Sequence, residues 1–422
     1  MPQNALQNNA KNNALLYGKL FMLLIGFAFF LRLLIGMGYF NSFDTYWYRN
    51  WALASQNGVF SLYNNQQINL DYPPIYVLFL SVTGFFYRFV GNSEAHNYVQ
   101  MLFMKSWPII FDILAGVAIY FYTKKWGNKA AIFASCLWLF SPATIFNSAF
   151  WGQTDGLMCL CLLLSFWLLE KHPVLASVMF AISGLTKFQC LYFTPVFLYL
   201  LFKKYGIKKF LMGIGSAALT VLITFLPFMI ATNRPWLFFE VYLNGGNSYP
   251  YLTLNAFNFY GILSLNWVED GNGFPSAHLL SLLLVVVLVL LLIAAYLFAK
   301  RRSVWVLGFL FMNTLFMFMT RMHERYQFVV LIFILMAAVV HKSREFFYCF
   351  MGISFITLIN QLIPMFSWRQ GGSVFSEYYG FLMVIFSGVN LIIYILSTYV
   401  SVRFMFFKNK DNIKTENREV NV

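Results

Sequence analysis

Long apolar runs separated by short polar segments form the main pattern of this chain. The first run, residues 15–39, can cross a hydrocarbon core of about 30 Å as a helix. We predict further transmembrane helices at residues 105–122, 129–148, 156–169, 173–186, 188–202, 210–231, 277–299, 303–320, 326–341, 346–364 and 379–405. The pattern therefore predicts an all-α polytopic membrane protein with about twelve transmembrane helices.

One further apolar segment, residues 75–90, is short for a helix that crosses the bilayer. If it lies flat on the membrane, most of the 29 Lys and Arg residues fall in cytoplasmic loops. Cytoplasmic loops carry the excess of basic residues in membrane proteins. We therefore predict that this segment lies on the outer surface and that both termini are cytoplasmic.

This topology defines two large outer loops, residues 40–104 and 232–277. In the first loop, Trp47 and Trp51 recur at helical spacing after Asp44, which predicts an interfacial helix. The first loop is therefore expected to hold helices that lie on the membrane.

Three segments follow from the same pattern. Residues 1–14 are polar and Asn-rich, and we predict a disordered cytoplasmic N-terminus there. Residues 15–407 are predicted to form a single transmembrane domain. Residues 408–422 are predicted to form a disordered basic cytoplasmic tail.

Composition supports the membrane interpretation and excludes other classes. The chain is 60% hydrophobic and 10% charged, which is far from the composition of globular proteins. Its formal charge of +14 is explained by cytoplasmic loops, so membrane lipids rather than nucleic acid are the expected partners. The five cysteines lie in apolar runs and form no disulfide framework, and no His/Cys set has zinc spacing.

Two carboxylates in the first outer loop are candidates for chemistry. Asp44 can act as a general base, or it can cap the helix that follows. Asp71 precedes Tyr-Pro-Pro, a sequence that also favours a simple turn.

A second candidate lies at the segment Trp-Gly-Gln-Thr-Asp, where two predicted spans meet. Trp151 either stacks on a sugar or belongs to the interfacial aromatic belt. Asp155 either binds hydroxyl groups or caps the next helix. Gln153 lies between them.

Several ionisable residues lie in or beside the spans. Lys105 and Asp112 share one face of a span but are too far apart to bond each other directly. Asp112 is costly inside a membrane and indicates function or a partner. Lys187 either snorkels to the surface or meets a phosphate.

The densest ionisable cluster lies between two later spans. It contains Arg321, His323, Glu324 and Arg325. Cations at an outer surface indicate an anion, either a lipid phosphate or ordinary anionic headgroups. Asn255 and Asn258 lie in an aromatic segment that suits either a sugar or prenyl ligand or an interfacial helix.

The ordered set of these residues resembles the GT-C glycosyltransferases, which take sugars from polyprenyl-phosphate carriers. The similarity is greatest to bacterial mannosyltransferases related to GPI mannosyltransferase II and to the dolichyl-phosphate-glucose glucosyltransferases. It rests on Asp44, the Asp71-Tyr-Pro-Pro box, Lys105 with Asp112, Trp151 to Asp155, Lys187-Phe-Gln189, Asn255 to Asn258 and His323-Glu-Arg.

The resemblance implies a GT-C-like fold and inverting transfer of a mannose- or glucose-class hexose. The expected location is a bacterial plasma membrane, with the active site at its outer face. It implies that Asp44 is the catalytic base. The donor phosphate would meet Lys105, Lys187, Arg321, His323 and Arg325. The substrates would meet Asp71, Asp112, Trp151, Gln153, Asp155, Asn255, Asn258 and Glu324.

The implied donor is a polyprenyl-phosphate-linked sugar, and the acceptor is a glycan, a lipid or a protein. No cofactor or metal is expected, because a polyprenyl phosphate is already an activated leaving group. Many GT-C members carry a pair of acidic residues where this chain has only Asp44. A lipid-linked glycan flippase, or a ligase or polymerase that uses diphosphate-linked glycans, remains an alternative at this point.

Overall fold

The computed structural model describes residues 2–38, 43–68, 70–90, 98–271, 275–369 and 378–407. Within these residues the chain is mostly helical and contains one pair of short parallel strands. It divides into two compact units, Met1–Tyr249 and Pro250–Val422, here called unit 1 and unit 2. The predicted tail at 408–422 lies outside the described residues.

Unit 1 begins with one long helix and the helices of the first predicted outer loop. Its α-helices are α1 (Pro2–Gly36), α2 (Phe43–Ala54), α3 (Pro74–Val90), α4 (Tyr98–Thr123), α5 (Asn128–Leu139), α6 (Pro142–Ile145), α7 (Asp155–Leu168), α8 (Pro173–Gly184), α9 (Thr194–Thr232) and α10 (Leu237–Asn247). A π-helix, Phe146–Trp151, continues α6, and 3₁₀ segments cover Ser55–Asn57, Val59–Asn64, Gln66–Ile68, Lys124–Trp126 and Phe188–Phe193.

Unit 2 contains the two short strands and the remaining helices. The strands are β1 (Thr253–Leu254) and β2 (Met322–His323). The helices are α11 (Phe259–Ile262), α12 (Ala277–Phe298), α13 (Val304–Phe318), α14 (Val330–Val340), α15 (Arg344–Arg369) and α16 (Tyr379–Phe406), with a 3₁₀ segment at Tyr326–Val329.

Six helices among the described residues are long and apolar enough to cross a membrane, which makes this an integral membrane protein. They are Ala14–Met37, Tyr98–Trp126, Phe188–Thr232, Ala277–Phe298, Arg344–Ser367 and Tyr379–Phe406. The pair Asn128–Leu139 and Pro142–Trp151, bent by 48°, would make a seventh span. The predicted count of about twelve is therefore not confirmed, because the other predicted spans are shorter helices or parts of longer ones.

Helix α9 contains two of the predicted spans, 188–202 in part and 210–231 in full. Its 39 residues would extend about 58 Å if straight, roughly twice the thickness of a hydrocarbon core. The helix breaks at Gly206, where φ is 69° and ψ is −179°. This backbone conformation is open to glycine and strained for other residues.

Side-chain contacts identify the two ends of unit 1. At one end Lys125 pairs with Glu170 at 3.5 Å, and Lys204 donates to the Glu170 carbonyl oxygen at 2.8 Å. At the other end Lys187 pairs with Asp155 at 2.6 Å. Helices α7 and α8 and the first part of α9 therefore run back and forth between these ends, as the predicted alternation requires.

Helix α7 is apolar on all sides and buried along almost its whole length. Its 14 residues rise about 21 Å, which is shorter than the bilayer core. A helix with no polar face is stable when other helices surround it. Helix α7 can therefore be shorter than the bilayer core in a membrane protein, because neighbouring helices rather than lipid cover its surface.

Two findings in the N-terminal half bear on the sequence predictions. Helix α1 starts at Pro2, so it includes most of the segment predicted as a disordered N-terminus. Helices α2 and α3 are present where the first outer loop was predicted to hold interfacial helices. They pack on each other through an aromatic cluster that includes Tyr48, Trp51 and Tyr76.

A fully buried ion pair joins α1 to α4. Arg32 donates through Nε to Asp112 Oδ2 at 2.8 Å, and both side chains have no exposed surface. Arg32 also donates to the Leu139 carbonyl oxygen at 2.7 Å. Ser148 Oγ donates to the same carboxylate oxygen at 2.9 Å. The costly carboxylate predicted inside a span thus has a partner within the protein, and its predicted role in substrate binding stays a prediction.

Candidate active site

Asp44 is held at the start of α2 by an indole. It lies in the first turn of the helix rather than before it, and it is half-buried. Its Oδ2 accepts a hydrogen bond from Trp151 Nε1 at 3.0 Å. The helix N-terminus stabilises a negative charge at this position. The arrangement gives a fixed carboxylate that is still partly open, which is the geometry that a general base requires.

The indole is positioned by an irregular backbone. The π-helix Phe146–Trp151 ends at Gly152, whose φ is 84°. A side chain on this glycine would place its Cβ 3.1 Å from Lys105 Cγ and 3.8 Å from Thr45 Cγ2. The backbone therefore approaches α2 and α4 as closely as only glycine permits. Single π-helical turns are frequent at functional sites.

Lys105 is consequently next to the Asp44 region. Its side chain is fully buried, and Nζ donates to the Gly38 carbonyl oxygen at 3.3 Å. Gly152 packs against its aliphatic stem. Lys105 and Lys187 are the predicted phosphate-binding cations of unit 1. Of the two, Lys105 lies beside the start of α2, because Gly152 packs between it and Thr45.

A polar network continues from α2 across unit 1. Tyr48 OH lies 2.7 Å from Tyr72 OH and donates to Gln153 Oε1 at 3.2 Å. Lys187 Nζ donates to the same amide oxygen at 3.1 Å and to Asp155 Oδ1 at 2.6 Å. The ammonium also lies 5.6 Å from the centre of the Tyr72 ring. The sequence-predicted residues Gln153, Asp155 and Lys187 therefore do come together.

The Asp155–Lys187 contact is a buried ion pair. Their side chains are 3% and 2% exposed, and Asn147 Nδ2 also donates to the carboxylate at 3.0 Å. Asp155 lies in the first turn of α7, and Thr154 is the cap residue. Lys187 is thus already neutralised by the protein. Its sequence-predicted role at a donor phosphate stays a prediction, with a competing structural role now in place.

Several buried polar atoms beside this network have no hydrogen-bond partner among the described residues. They include Gln153 Nε2, Thr154 Oγ1, Gln189 Oε1 and Tyr76 OH. Burial, and then the nearby charges of Tyr87 and Asp44, raise the pKa of Tyr76 well above its ordinary value. The Tyr76 phenol is therefore protonated at neutral pH. Unpaired buried groups of this kind are costly unless a ligand or water satisfies them.

Asp71 lies in the same unit, after the 3₁₀ segment that ends at Ile68. Its carbonyl oxygen lies beside Gly245 of α10, and the following Tyr72 carbonyl accepts from Tyr63 OH at 2.7 Å. The Asp71 charge contributes to raising the pKa of Tyr63, after burial and Tyr242. The chain bends at Tyr72 and presents this residue to the network, and the predicted substrate-binding role of Asp71 stays a prediction.

In unit 2, Arg321 is held by a carboxylate that the sequence analysis did not single out. Asp270 is fully buried and accepts from Arg321 Nε at 2.7 Å and Nη2 at 3.2 Å. His278 Nδ1 lies 3.4 Å from the same carboxylate and 2.7 Å from Thr320 Oγ1. Arg321 thus has its anion inside the protein. In the sequence, the only indication of this partner was that Asp270 is an acidic residue in the second large loop.

The remaining charges of the cluster also pair with each other. Arg325 Nη1 donates to Glu324 Oε1 at 2.8 Å, and His323 Nδ1 lies 3.9 Å from Glu324 Oε2. The guanidinium carbon of Arg325 lies 5.8 Å from the centre of the Tyr326 ring. The predicted phosphate-binding role of His323 and Arg325 remains a prediction.

Asn255 and Asn258 organise the loop before α11. Asn255 has φ of 60°, and its Oδ1 accepts from Asn266 Nδ2, Trp267 Nε1 and Tyr379 OH at 2.8–3.2 Å. Asn258 Oδ1 accepts from the Gly261 backbone N–H at 3.2 Å and caps α11. These contacts give both residues a structural role, and their predicted substrate-binding role stays a prediction.

No group of three or more His, Cys, Asp and Glu side chains that could hold a metal ion occurs in the part of the chain that the structure describes. The expectation that no metal or cofactor is needed stays a prediction.

Comparison with known proteins gives one family match. The model of Glycosyltransferase family 87 matches residues 69–321, which is more than half of the chain. No curated protein sequence matches. Among solved structures, the chain is similar to the crystal structure of ArnT from Cupriavidus metallidurans bound to undecaprenyl phosphate. The TM-score is 0.44 and the identity 11%, over 92% of this chain and 77% of that chain.

Proposed function

The chain belongs to glycosyltransferase family 87, and from this premise we propose that unit 1 holds the catalytic centre, with Asp44 as the general base. The family match confirms the prediction of a membrane glycosyltransferase made from the sequence. It also favours an enzyme over the flippase alternative. The observation that carries the proposal is the hydrogen bond from Trp151 Nε1 to Asp44, which orients a partly open carboxylate.

The proposed donor is a sugar linked to a polyprenyl phosphate. A donor held in the bilayer suits a catalytic residue at the end of membrane helices, because its lipid and the enzyme share the membrane. The lipid phosphate is itself a leaving group, so the reaction needs no nucleotide. The proposed sugar is a hexose of the mannose or glucose class, and the acceptor is a glycan, a lipid or a protein.

The proposed reaction is a single displacement. Asp44 takes the proton from an acceptor hydroxyl, and the hydroxyl oxygen attacks the anomeric carbon on the side opposite the phosphate. The bond from that carbon to the phosphate oxygen breaks, and the configuration at the carbon inverts. Lys105 is the proposed partner of the departing phosphate in unit 1, since a fixed cation stabilises the charge that develops on it.

The proposed location of the site is the outer face of a bacterial plasma membrane. Lys124, Lys125 and Lys129 lie at the end of unit 1 that also contains Lys203 and Lys204. Lysine-rich ends face the cytoplasm as a rule. Asp155 and Lys187 lie at the other end, and the network to Tyr48 links them to α2.

The hydrogen bond to Asp44 provides a test of the proposal. Trp151→Phe keeps an aromatic ring but removes the indole N–H. We expect kcat for transfer from a polyprenyl-phosphate sugar to fall at least about tenfold with an unchanged KM for the donor, because a hydrogen bond to a charged group contributes about 1.5–3 kcal/mol. Steady-state transfer assays with the purified protein measure both constants.

Trp107→Phe is the matched control. Trp107 Nε1 also makes one hydrogen bond to a side-chain oxygen, that of Thr83 at 3.1 Å. The control should keep kcat within about twofold, because loss of the hydrogen bond to Thr83 should lower the stability of the protein and not the rate of transfer. Equal kcat values for the Trp151 variant and native protein would show that the indole does not orient a catalytic group.

A further inference from the structure

A cleft opens at the lysine-rich end of unit 1, between the start of α8 and the second part of α9. It has a volume of about 430 Å³. Lys171, His172 and Lys209 line it together with apolar residues that include Val174, Leu175 and Met212. Asp155 starts α7 beside Lys187, and α7 ends at Leu168 near this cleft. The cleft is therefore separate from the candidate active site.

The charge at this end is strongly positive. In the segments 122–130, 168–172 and 203–209 the acidic residue is Glu170, amid many lysines. Glu170 is already matched, because Lys125 pairs with it at 3.5 Å and Tyr122 OH donates to it at 2.7 Å. The positive charge of Lys171 and Lys209 is therefore not offset by this carboxylate. Helix α8 begins at Pro173, and its N-terminus adds partial positive charge to the same cleft.

The wall of the cleft is apolar and open. Val174, Leu175 and Met212 are 37%, 49% and 53% exposed. A small inorganic anion would use the lysines but not this wall. A phospholipid would use both, because its phosphate is anionic and its acyl chains are apolar. Basic clefts between membrane helices on the cytoplasmic side bind lipid headgroups by this combination.

We propose that this cleft binds an anionic phospholipid. Lys171 and Lys209 contact the headgroup phosphate, and the first methylene groups of an acyl chain pack on Leu175 and Met212. The site is occupied by lipid of the inner leaflet. It differs from the proposed donor site in position and in ligand, and it does not depend on the transferase reaction.

The test is lipid binding by the purified full-length protein in neutral detergent. Native mass spectrometry titrates the protein with phosphatidylglycerol and, separately, with phosphatidylcholine. The variant Lys171→Gln/Lys209→Gln is expected to lose about tenfold in affinity for phosphatidylglycerol, with little change for phosphatidylcholine. Unchanged binding of phosphatidylglycerol would overturn the proposal.

The matched control is Lys129→Gln/Lys203→Gln, which removes the same charge from the same end but outside the cleft. It should keep phosphatidylglycerol affinity within about twofold, since exposed charges at a distance are screened. An equal loss in both double variants would overturn the proposal in favour of a diffuse attraction. Displacement of the lipid by an equal concentration of inorganic phosphate would overturn the assignment of a lipid ligand.

The apolar wall gives an independent readout. Leu175→Gln should weaken binding of long-chain phosphatidylglycerol while leaving dihexanoyl phosphatidylglycerol nearly unchanged, because only the longer chain covers the wall. Since Leu175 is half exposed, this single change leaves the packing of α8 largely intact. Equal binding of long-chain lipid by this variant and the native protein would contradict the predicted chain contact.

Discussion

Asp44→Asn should slow sugar transfer by at least about a hundredfold while the protein still inserts and folds. Asparagine keeps the shape of the side chain and can still accept the hydrogen bond from Trp151 Nε1. It cannot accept a proton from an acceptor hydroxyl. General-base effects typically contribute about 10²–10⁴-fold, so the loss should appear in kcat. Single-turnover transfer with the purified variant measures it directly.

Asp155→Asn is the matched control for this variant. The same change at Asp155 leaves Lys187 as a buried ammonium without its carboxylate. We therefore expect a lower thermal unfolding midpoint for the Asp155 variant and an unchanged one for the Asp44 variant. Near-native transfer by Asp44→Asn would show that Asp44 is not the base.

Arg32→Met should lower the free energy of unfolding by roughly 3–5 kcal/mol. The substitution leaves Asp112 fully buried and without its cation. The double variant Arg32→Met/Asp112→Leu should regain most of that stability, because a buried ion pair replaced by apolar groups of similar size is often neutral. Thermal unfolding of both variants in one detergent gives the comparison.

Arg234→Met is the control for this prediction. Arg234 pairs with Glu240, and the two side chains are 35% and 38% exposed. A pair of this exposure contributes about 0–1 kcal/mol, and the hydrogen bond from Arg234 Nη1 to the Tyr63 carbonyl oxygen about 1 kcal/mol, so the variant should lose clearly less stability than Arg32→Met. A similar loss for Arg32→Met and Arg234→Met would contradict the assignment of the Asp112 pair as a buried clamp between α1 and α4.

Local residue patterns predicted the helical membrane class. The helices α1, α4, α12, α15 and α16 each correspond to one continuous apolar run of membrane-spanning length in the sequence. Local patterns also predicted the helices of the first outer loop. The number of spans did not follow from the same pattern. Beyond Asp155, helix α7 is almost entirely apolar although it is short, since protein surrounds it.

Partners distant in the sequence could not be predicted. Arg32 and Asp112 are 80 positions apart, and Asp155 and Lys187 are 32 apart. Each residue by itself indicates only a charge whose burial in a membrane costs free energy, so that it needs a counter-ion or a ligand. The folded chain supplies the counter-ion in both pairs. It does the same for Arg321, whose partner Asp270 lies 51 positions earlier.

The interpretation of Asp44 depended on where α2 begins. From sequence, a helix cap and a catalytic base were equally compatible with an aspartate at this position. In the structure the residue lies inside the first turn and accepts from a tryptophan that is 107 positions away. The residues around Asp44 in the sequence could not predict this hydrogen bond, because its donor, Trp151, is positioned by the distant backbone at Gly152.

The measurement that tests the central claim most directly is transfer by the purified protein from a defined donor. The donors are a polyprenyl-monophosphate hexose, the corresponding diphosphate-linked hexose and a nucleotide hexose, each offered with the same acceptor panel. The account predicts transfer from the monophosphate donor, with release of one polyprenyl phosphate for each inverted glycosidic bond and loss of that release in Asp44→Asn. Transfer from the nucleotide or diphosphate donor alone, or retention of the anomeric configuration, would contradict it.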